Sequence, residues 1–144
     1  MTSSKQVLDR NLAAYNAHDL DAYLANQSPD VEVILPDGRT LRGRDQLGQN
    51  TQATWTAFPD GTLAFGEQVF NEDAAAVETV LTGTHTGPLR TPAGTIPPTG
   101  RPVRLRLLSI LRIRDGLVAS EHVYSNQLDI LTQLGLAPAP ASAG

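Results

Sequence analysis

Apolar residues in the first part of the chain recur at the spacing of amphipathic helices. Ser3 or Ser4 is placed to cap a first helix, and Asp19 to cap a short second one. Gly43 would begin a third helix, and a strand over 31–35 lies between the second and the third. One face of the first helix would carry four residues: Val7, Leu8, Leu12 and Tyr15.

The second half of the chain alternates apolar and polar residues, which predicts β-strands. Four strands are expected, over 62–70, 74–85, 103–114 and 117–127. The dipeptide Asp115-Gly116 between the last two is a signal for a tight hairpin. A short closing helix should follow and stop at Gly135. Helices followed by antiparallel strands predict an α+β fold.

Length and composition indicate one globular domain. The chain has 144 residues, of which 40% are hydrophobic and 18% charged. We expect a domain over 1–136 and a flexible Ala/Pro tail over 137–144. The net charge of −4 argues against a nucleic-acid partner. No apolar run has the length of a membrane span and no export signal is visible, so we expect a cytoplasmic protein without a membrane partner.

The absence of cysteine and the presence of only three histidines argue against a metal site. The segment 88–102 is rich in proline and glycine and is long for a plain connection. It predicts a lid or entrance loop, and a disordered insertion is the alternative. The residues that would shape this loop are Pro88, Gly94, Pro98 and Gly100.

The strand after the hairpin carries an unusual polar row. His122, Tyr124 and Asn126 share one face in simple alternation, and Glu121 lies on the other. These three are the candidate catalytic residues. Each also has a structural explanation, because Asn126 could cap the next helix, Tyr124 could pack in the sheet, and His122 could be a satisfied histidine.

The neighbouring strand has leucines on one face and arginines on the other. We expect the leucine face to line a cavity together with the polar row, and the arginines to lie outside with Glu121. Glu78 is also expected on the outer face, and His85 is expected to point to solvent. The candidate substrate-binding residues are Tyr15, Leu35, Trp55, Phe58, Leu105, Leu107 and Ser109.

Several short segments, in this order and spacing, resemble the SnoaL-like polyketide cyclases. They are the Tyr15/His18-Asp19 opening, Gly83-Thr-His-Thr-Gly-Pro-Leu89, Pro98-Thr-Gly-Arg101, Arg112-Ile-Arg-Asp-Gly116 and Gln127-Leu-Asp-Ile-Leu-Thr-Gln-Leu-Gly135. The resemblance implies the cone-shaped fold shared by nuclear transport factor 2 (NTF2) and ketosteroid isomerase. In that half-barrel, N-terminal helices cover the concave face of a curved, mostly antiparallel sheet around an apolar cavity. It also implies a homodimer, a polyketide-like small-molecule substrate and no cofactor.

The best-known members of this family use an Asp near the end of the last strand as general acid/base in an intramolecular aldol condensation. Tyr124 matches the family pattern Tyr-x-Asp, but Asn126 falls on its Asp. An amide cannot take a proton from carbon. The sequence therefore predicts a cyclase that forms a C–C bond by a pericyclic [4+2], Diels–Alder-type closure. The alternatives are an aldol cyclase with another base and a non-catalytic protein that binds an apolar metabolite.

Overall fold

The structure, a computed structural model, describes residues 3–136, so the predicted flexible tail over 137–144 lies outside the described residues. Within these residues, three helices lie in the first half of the chain and a fourth follows the last strand. The helices are α1 (Ser4–Asn16), α2 (Leu20–Ala25), α3 (Gly43–Ala57) and α4 (Gln127–Gln133). The strands are β1 (Gln27–Ile34), β2 (Thr40–Arg42), β3 (Thr62–Phe70), β4 (Ala74–Thr84), β5 (Leu89–Thr91), β6 (Gly94–Ile96), β7 (Pro102–Arg114) and β8 (Leu117–Ser125).

Side-chain caps fix where the helices begin. Ser3 accepts a hydrogen bond from the Gln6 amide while the Gln6 side chain accepts from the Ser3 amide, which is a capping box. Asp19 caps α2 through the amide of Ala22. Both caps confirm the sequence prediction. Gly43, at φ 80°, begins α3 as predicted.

Six strands form one sheet in the order β2-β1-β8-β7-β4-β3. Only the β1–β8 pair within it is parallel, and the other pairs are antiparallel. β1 begins at Gln27, earlier than predicted, and Pro29 lies where its pairing with β8 is irregular. The sequence did not predict β2, whose three residues are too few to show a periodicity.

The β7–β8 hairpin turns at Asp115 and Gly116, with φ angles of 56° and 71°. Positive φ at both residues is the geometry of a type I′ turn and confirms the predicted hairpin. Arg114 then pairs with Leu117 and Ile113 with Val118, but Arg112 pairs with Ser120. The extra residue on β8 is Ala119, which forms a β-bulge.

Two apolar clusters stabilise the fold. The larger one joins α1, α2 and α3 to the sheet through residues such as Leu8, Leu47 and Leu111. The smaller one surrounds Phe58 and Leu105 and includes Leu134 after α4. The Gln133 side chain holds α4 against β7 because its amide exchanges two hydrogen bonds with the Arg104 backbone, at 2.7 and 3.0 Å.

Within residues 3–136, no helix combines the length and the hydropathy needed to cross a membrane.

Candidate active site

A cavity of about 240 Å³ lies between the three N-terminal helices and the concave face of the sheet. We call it the chamber. Aliphatic and aromatic side chains form most of its wall, so it suits an apolar ligand. Its polar and aromatic lining residues are Asn11, Tyr15, Tyr23, Asn50, Thr51, Thr54, Phe65, Thr79, Ser109 and Glu121.

Glu121 is the one carboxylate among the residues that line the chamber. It stands on β8 opposite Leu111 of β7 and next to Val123 on the same face of the strand. Burial raises the pKa of the Glu121 carboxyl above its ordinary value of 4.5, and a polar contact with the Ser109 hydroxyl acts in the opposite direction. A carboxylate with a raised pKa is a better proton acceptor than a solvated one.

Two tyrosines line the chamber together with this carboxylate. The rings of Tyr15 on α1 and Tyr23 on α2 meet edge to face, with centroids 5.9 Å apart. Burial raises the pKa of Tyr15 to about 12. Burial raises the pKa of Tyr23 well above 10.0, and the negative charge of Glu121 acts in the same direction. Both hydroxyls therefore remain protonated at neutral pH and can donate hydrogen bonds inside the chamber.

A buried amide network supports this group. The Asn11 side-chain oxygen accepts hydrogen bonds from the amides of Asn26, at 3.1 Å, and Gln27, at 2.7 Å. Gln27 also donates to the Tyr23 carbonyl, and Asn26 to the Val7 carbonyl. With its oxygen occupied, Asn11 has its NH₂ group left to donate toward Tyr23, with which it makes a polar contact.

The predicted catalytic row lies outside the chamber. His122 pairs with Ile110 and Tyr124 with Leu108, on the convex face of the sheet. The two side chains bond to each other, with the Tyr124 hydroxyl 3.0 Å from His122 Nδ1, and their rings stack. Asn126 caps α4 by accepting a hydrogen bond from the Asp129 amide at 3.2 Å, which is the structural alternative considered for it.

The bulge at Ala119 explains why the predicted faces are wrong. Without it, the tight turn would pair Ser109 with His122 and Leu107 with Tyr124, which is the arrangement that simple alternation predicts. The extra residue shifts the register by one, so that Ser109 pairs with Val123 and Leu107 with Ser125. Glu121, expected outside with the arginines, therefore faces the chamber.

The predicted outer positions of the β7 arginines and of Glu78 on β4 are confirmed. Arg104, Arg106, Arg112 and Arg114 are exposed, as expected for the outer face of β7. Glu78 is also exposed, while its neighbours Val77 and Thr79 line the chamber.

The predicted substrate-binding residues divide into two groups. Tyr15, Leu35, Leu107 and Ser109 line the chamber. Trp55 instead packs against Tyr15 and stacks on His18, with ring centroids 4.6 Å apart. Phe58 and Leu105 are buried in the smaller apolar cluster, so neither is among the residues that line the chamber.

The predicted lid segment has more order than its composition indicates. Pro88, Gly94, Pro98 and Gly100 belong to a stretch that forms the β5–β6 hairpin. The chain enters it at Gly87, whose N–H bonds the Ala57 carbonyl and where a Cβ would lie 1.9 Å from the Thr56 oxygen. Only glycine fits this approach to the end of α3. Whether the hairpin moves as a lid stays a prediction.

His85 at the base of this segment is fully buried, so its predicted exposure is wrong. The Thr99 amide donates to its Nδ1 at 3.2 Å, and the Gly100 amide donates to its carbonyl. Burial lowers the pKa of His85, so the neutral ring is favoured. This histidine ties the two ends of the segment together.

The sequence prediction missed Glu121 and Tyr23 as site residues. Tyr23 has the spacing of a buried helix position, but nothing in the sequence shows that it would line a cavity together with a carboxylate. One weak signal existed for Glu121: Val118 and Val123 are both apolar but five residues apart, so an unbulged strand would place them on opposite faces.

Comparison with known proteins identifies the family. A sequence model described as "SnoaL-like polyketide cyclase" matches residues 5–134. No curated protein matches the chain in a direct comparison. Among solved structures, a proposed SnoaL-like polyketide cyclase from Jannaschia sp. CCS1 superimposes with a TM-score of 0.81 at 20% identity, covering 93% of this chain and 92% of the other.

Two Streptomyces structures have higher identity. AclR from S. galilaeus, a proposed hydroxylase, has a TM-score of 0.79 and 27% identity, covering 96% of this chain and 84% of its own. IdmH from S. antibioticus, a proposed polyketide cyclase, has a TM-score of 0.76 and 28% identity, covering 91% of this chain and 97% of its own. The fold is thus the NTF2/ketosteroid isomerase-like fold, and the chain belongs to the SnoaL-like polyketide cyclase family.

Proposed function

We propose that this chain closes a carbon–carbon ring in a polyketide-type intermediate by acid–base chemistry, with Glu121 as the group that transfers the proton. One observation carries the proposal: a single carboxylate with a raised pKa lines an apolar chamber together with two tyrosines whose hydroxyls stay protonated. Perturbed acids in such chambers are typical of catalytic sites. This is the aldol alternative with a base other than residue 126.

The reaction would be an intramolecular aldol closure. The Glu121 carboxylate removes a proton from a carbon next to a carbonyl group, and the resulting enolate carbon attacks a second carbonyl carbon of the same molecule. A hydrogen bond from Tyr23 or Tyr15 stabilises the negative oxygen. The new alkoxide then takes the proton back from Glu121. Atoms and charge balance without a cofactor.

The pericyclic [4+2] closure predicted from the sequence loses its main reason. That prediction rested on an amide at the family's acid/base position. Asn126, however, caps α4 and does not line the chamber, whereas the Glu121 carboxylate does. An apolar chamber can also hold a polyene in a reactive shape, so the two reactions differ chiefly in their need for Glu121.

Deuterium incorporation separates these possibilities. A linear poly-β-ketone and a linear polyene with an activated double bond would each be incubated with the protein in D₂O, and mass spectrometry would follow both ring closure and deuterium uptake next to the carbonyl. We expect faster closure of the ketone with uptake of deuterium. Glu121→Gln should lower this rate by about 100-fold or more, as expected for loss of a general base.

Glu78→Gln is the matched control, because Glu78 is an exposed carboxylate on the convex face. It should keep the wild-type rate. Full activity in Glu121→Gln, or closure of the polyene without deuterium uptake, would contradict the acid–base proposal and support the pericyclic one. If neither compound reacts faster with protein than without it, the chain is a binding protein.

We also propose that two copies pair through the convex face. Leu108 and Ile110 are each 41% exposed there and Tyr124 is 45% exposed, which forms an apolar row beside arginines of β7 and the carboxylate of Glu78. Sedimentation should find a dimer for wild type and a monomer for Ile110→Asp. Leu128→Asp, an exposed apolar position on α4, should leave the dimer intact.

A further inference from the structure

A second cavity adjoins the chamber on the outer side of α3. It measures about 360 Å³ and lies between β2, α3 and the β5–β6 hairpin. We call it the recess. Asn50 and Thr54 of α3 line both the chamber and the recess, so the two cavities share one wall.

The recess is cationic in a chain of net charge −4. Arg39 and Arg90 line it from opposite sides, one before β2 and one on β5, and no acidic residue is among its lining residues. Gln46 and Gln49 add side-chain amides from α3, which can donate hydrogen bonds. Guanidinium groups and side-chain amides are donors that suit a carboxylate.

Both arginines have donors to spare. Asp37 accepts hydrogen bonds from the Arg39 amide and from Arg39 Nε, at 3.0 and 2.9 Å. This ion pair offsets part of the positive charge of Arg39. It engages only Nε of the guanidinium, so the two terminal nitrogens can still donate hydrogen bonds to a ligand. Within residues 3–136, the Arg90 guanidinium makes no ion pair or hydrogen bond to another side chain.

The chamber has the opposite character. Its lining includes the Glu121 carboxylate and no lysine, arginine or histidine. An anionic group on a ligand would be repelled there and would lose its water without a partner. Leu41 and Leu89 give the recess an apolar side as well, which can contact the aliphatic part of a ligand.

We propose that the recess binds the carboxylate end of the substrate whose reacting carbons lie in the chamber. Arg39 and Arg90 hold the carboxylate, and the shared wall of α3 guides the chain inward. The substrate class is then a linear polyketide-type free acid. The identity of the ligand in this inference rests on the proposed function. The binding test itself does not require that function to be correct.

Binding can be measured without turnover. The probe is parinaric acid, a fluorescent linear polyene with one carboxyl group, and its methyl ester is the matched neutral ligand. We expect the acid to bind about tenfold more tightly than the ester at low salt, as two partly exposed ion pairs can provide. The preference should shrink as salt is added, because the recess is open to solvent.

Arg39→Gln and Arg90→Gln should each reduce the preference for the acid about threefold, while ester binding stays unchanged. Arg106→Gln is the control, because Arg106 is exposed on the convex face. Equal affinity of wild type for acid and ester would overturn the proposal without any variant. It would also be overturned if Arg106→Gln reduced the preference as much as the recess variants do.

This outcome is separate from that of the cyclisation test. If the acid preference depends on the two arginines but no ring closes, the recess proposal stands and the proposed function fails. If rings close with Glu121 but acid and ester bind equally, the reverse holds.

Discussion

The two faces of β8 differ more in chemistry than alternation along the strand would predict. The inner face presents Glu121 and Val123 to the chamber, and the outer face presents His122 and Tyr124 to the convex side of the sheet. The outer pair has the residue types usually associated with catalysis, yet its members bond to each other at the surface. The inner pair looks ordinary in the sequence. Position relative to the bulge, and not residue type, decides which side chains face the chamber.

The largest effect that tests this contrast is on stability. Leu111 is 2% exposed on the inner face of β7, and Leu108 is 41% exposed on the outer face. Leu111→Ala should lower the free energy of unfolding by about 3 kcal/mol, because it leaves a hole in the larger cluster. In the monomeric Ile110→Asp background, where Leu108 stays exposed, Leu108→Ala should cost less than about 1 kcal/mol. Urea denaturation measures both, and equal costs would contradict the face assignment.

The same substitution on a tyrosine of each face tests the site. Tyr23→Phe removes a hydroxyl near Glu121 and should lower kcat about 30-fold, or about 2 kcal/mol in transition-state stabilisation. Tyr124→Phe should change kcat by less than about twofold, as expected for a group outside the chamber. Thermal melts of both variants check that they fold. A larger loss in Tyr124→Phe would restore the outer row as the catalytic one.

The pH dependence of stability tests the buried carboxyl directly. In the folded state the pKa of Glu121 is raised above 4.5, so the stability it contributes is complete below pH 4.5 and is lost as pH rises through the folded-state pKa. Glu121→Gln, which stays neutral, should therefore be more stable than wild type at pH 8. The difference should vanish at pH 4. Glu78→Gln should change stability by less than about 0.5 kcal/mol, and a constant difference for Glu121→Gln across pH would show that burial does not perturb its carboxyl.

The smallest effect concerns Asn126. Because Asn126 caps α4, Asn126→Ala should lower the free energy of unfolding by about 0.5 kcal/mol, which is the low end for a cap because this helix is short and terminal. Asn126→Asp should keep the cap and the rate of ring closure. Thermal melts and the cyclisation assay check the pair. A gain of activity in Asn126→Asp would mean that this residue reaches the substrate.

Much of the fold could be predicted because it depends on local chemistry. Ser3, Asp19 and Gly43 have the residue types that begin helices, and Asp115-Gly116 suits a turn with positive φ at both residues. The alternation of β4 correctly placed Glu78 outside. These features depend on residues that are neighbours in the sequence, so the local amino-acid sequence is nearly sufficient to predict them.

The site depends on the pairing register between strands, which is harder to predict from the sequence than a helix cap or a turn. The bulge at Ala119 involves an ordinary alanine, and its effect appears only in which residues of β7 lie opposite β8. His85 was misplaced for a similar reason, since Thr99 and Gly100, far along the chain, enclose it. The hairpin of β5 and β6 was hidden by proline-rich composition around very short strands.

The extra residue at Ala119 also has a consequence for comparing members of this family. Suppose that two sequences align without a gap from the Asp-Gly turn to the last helix, but only one of the proteins has the bulge. The alignment then matches a residue on the inner face of one sheet to a residue on the outer face of the other. In that case an acid/base role transferred by aligned column is assigned to the wrong side of the sheet. In engineering, deleting Ala119 would remove the extra residue and still leave Glu121 opposite Leu111, so the bulge can be removed without changing which side chains of β8 face the chamber.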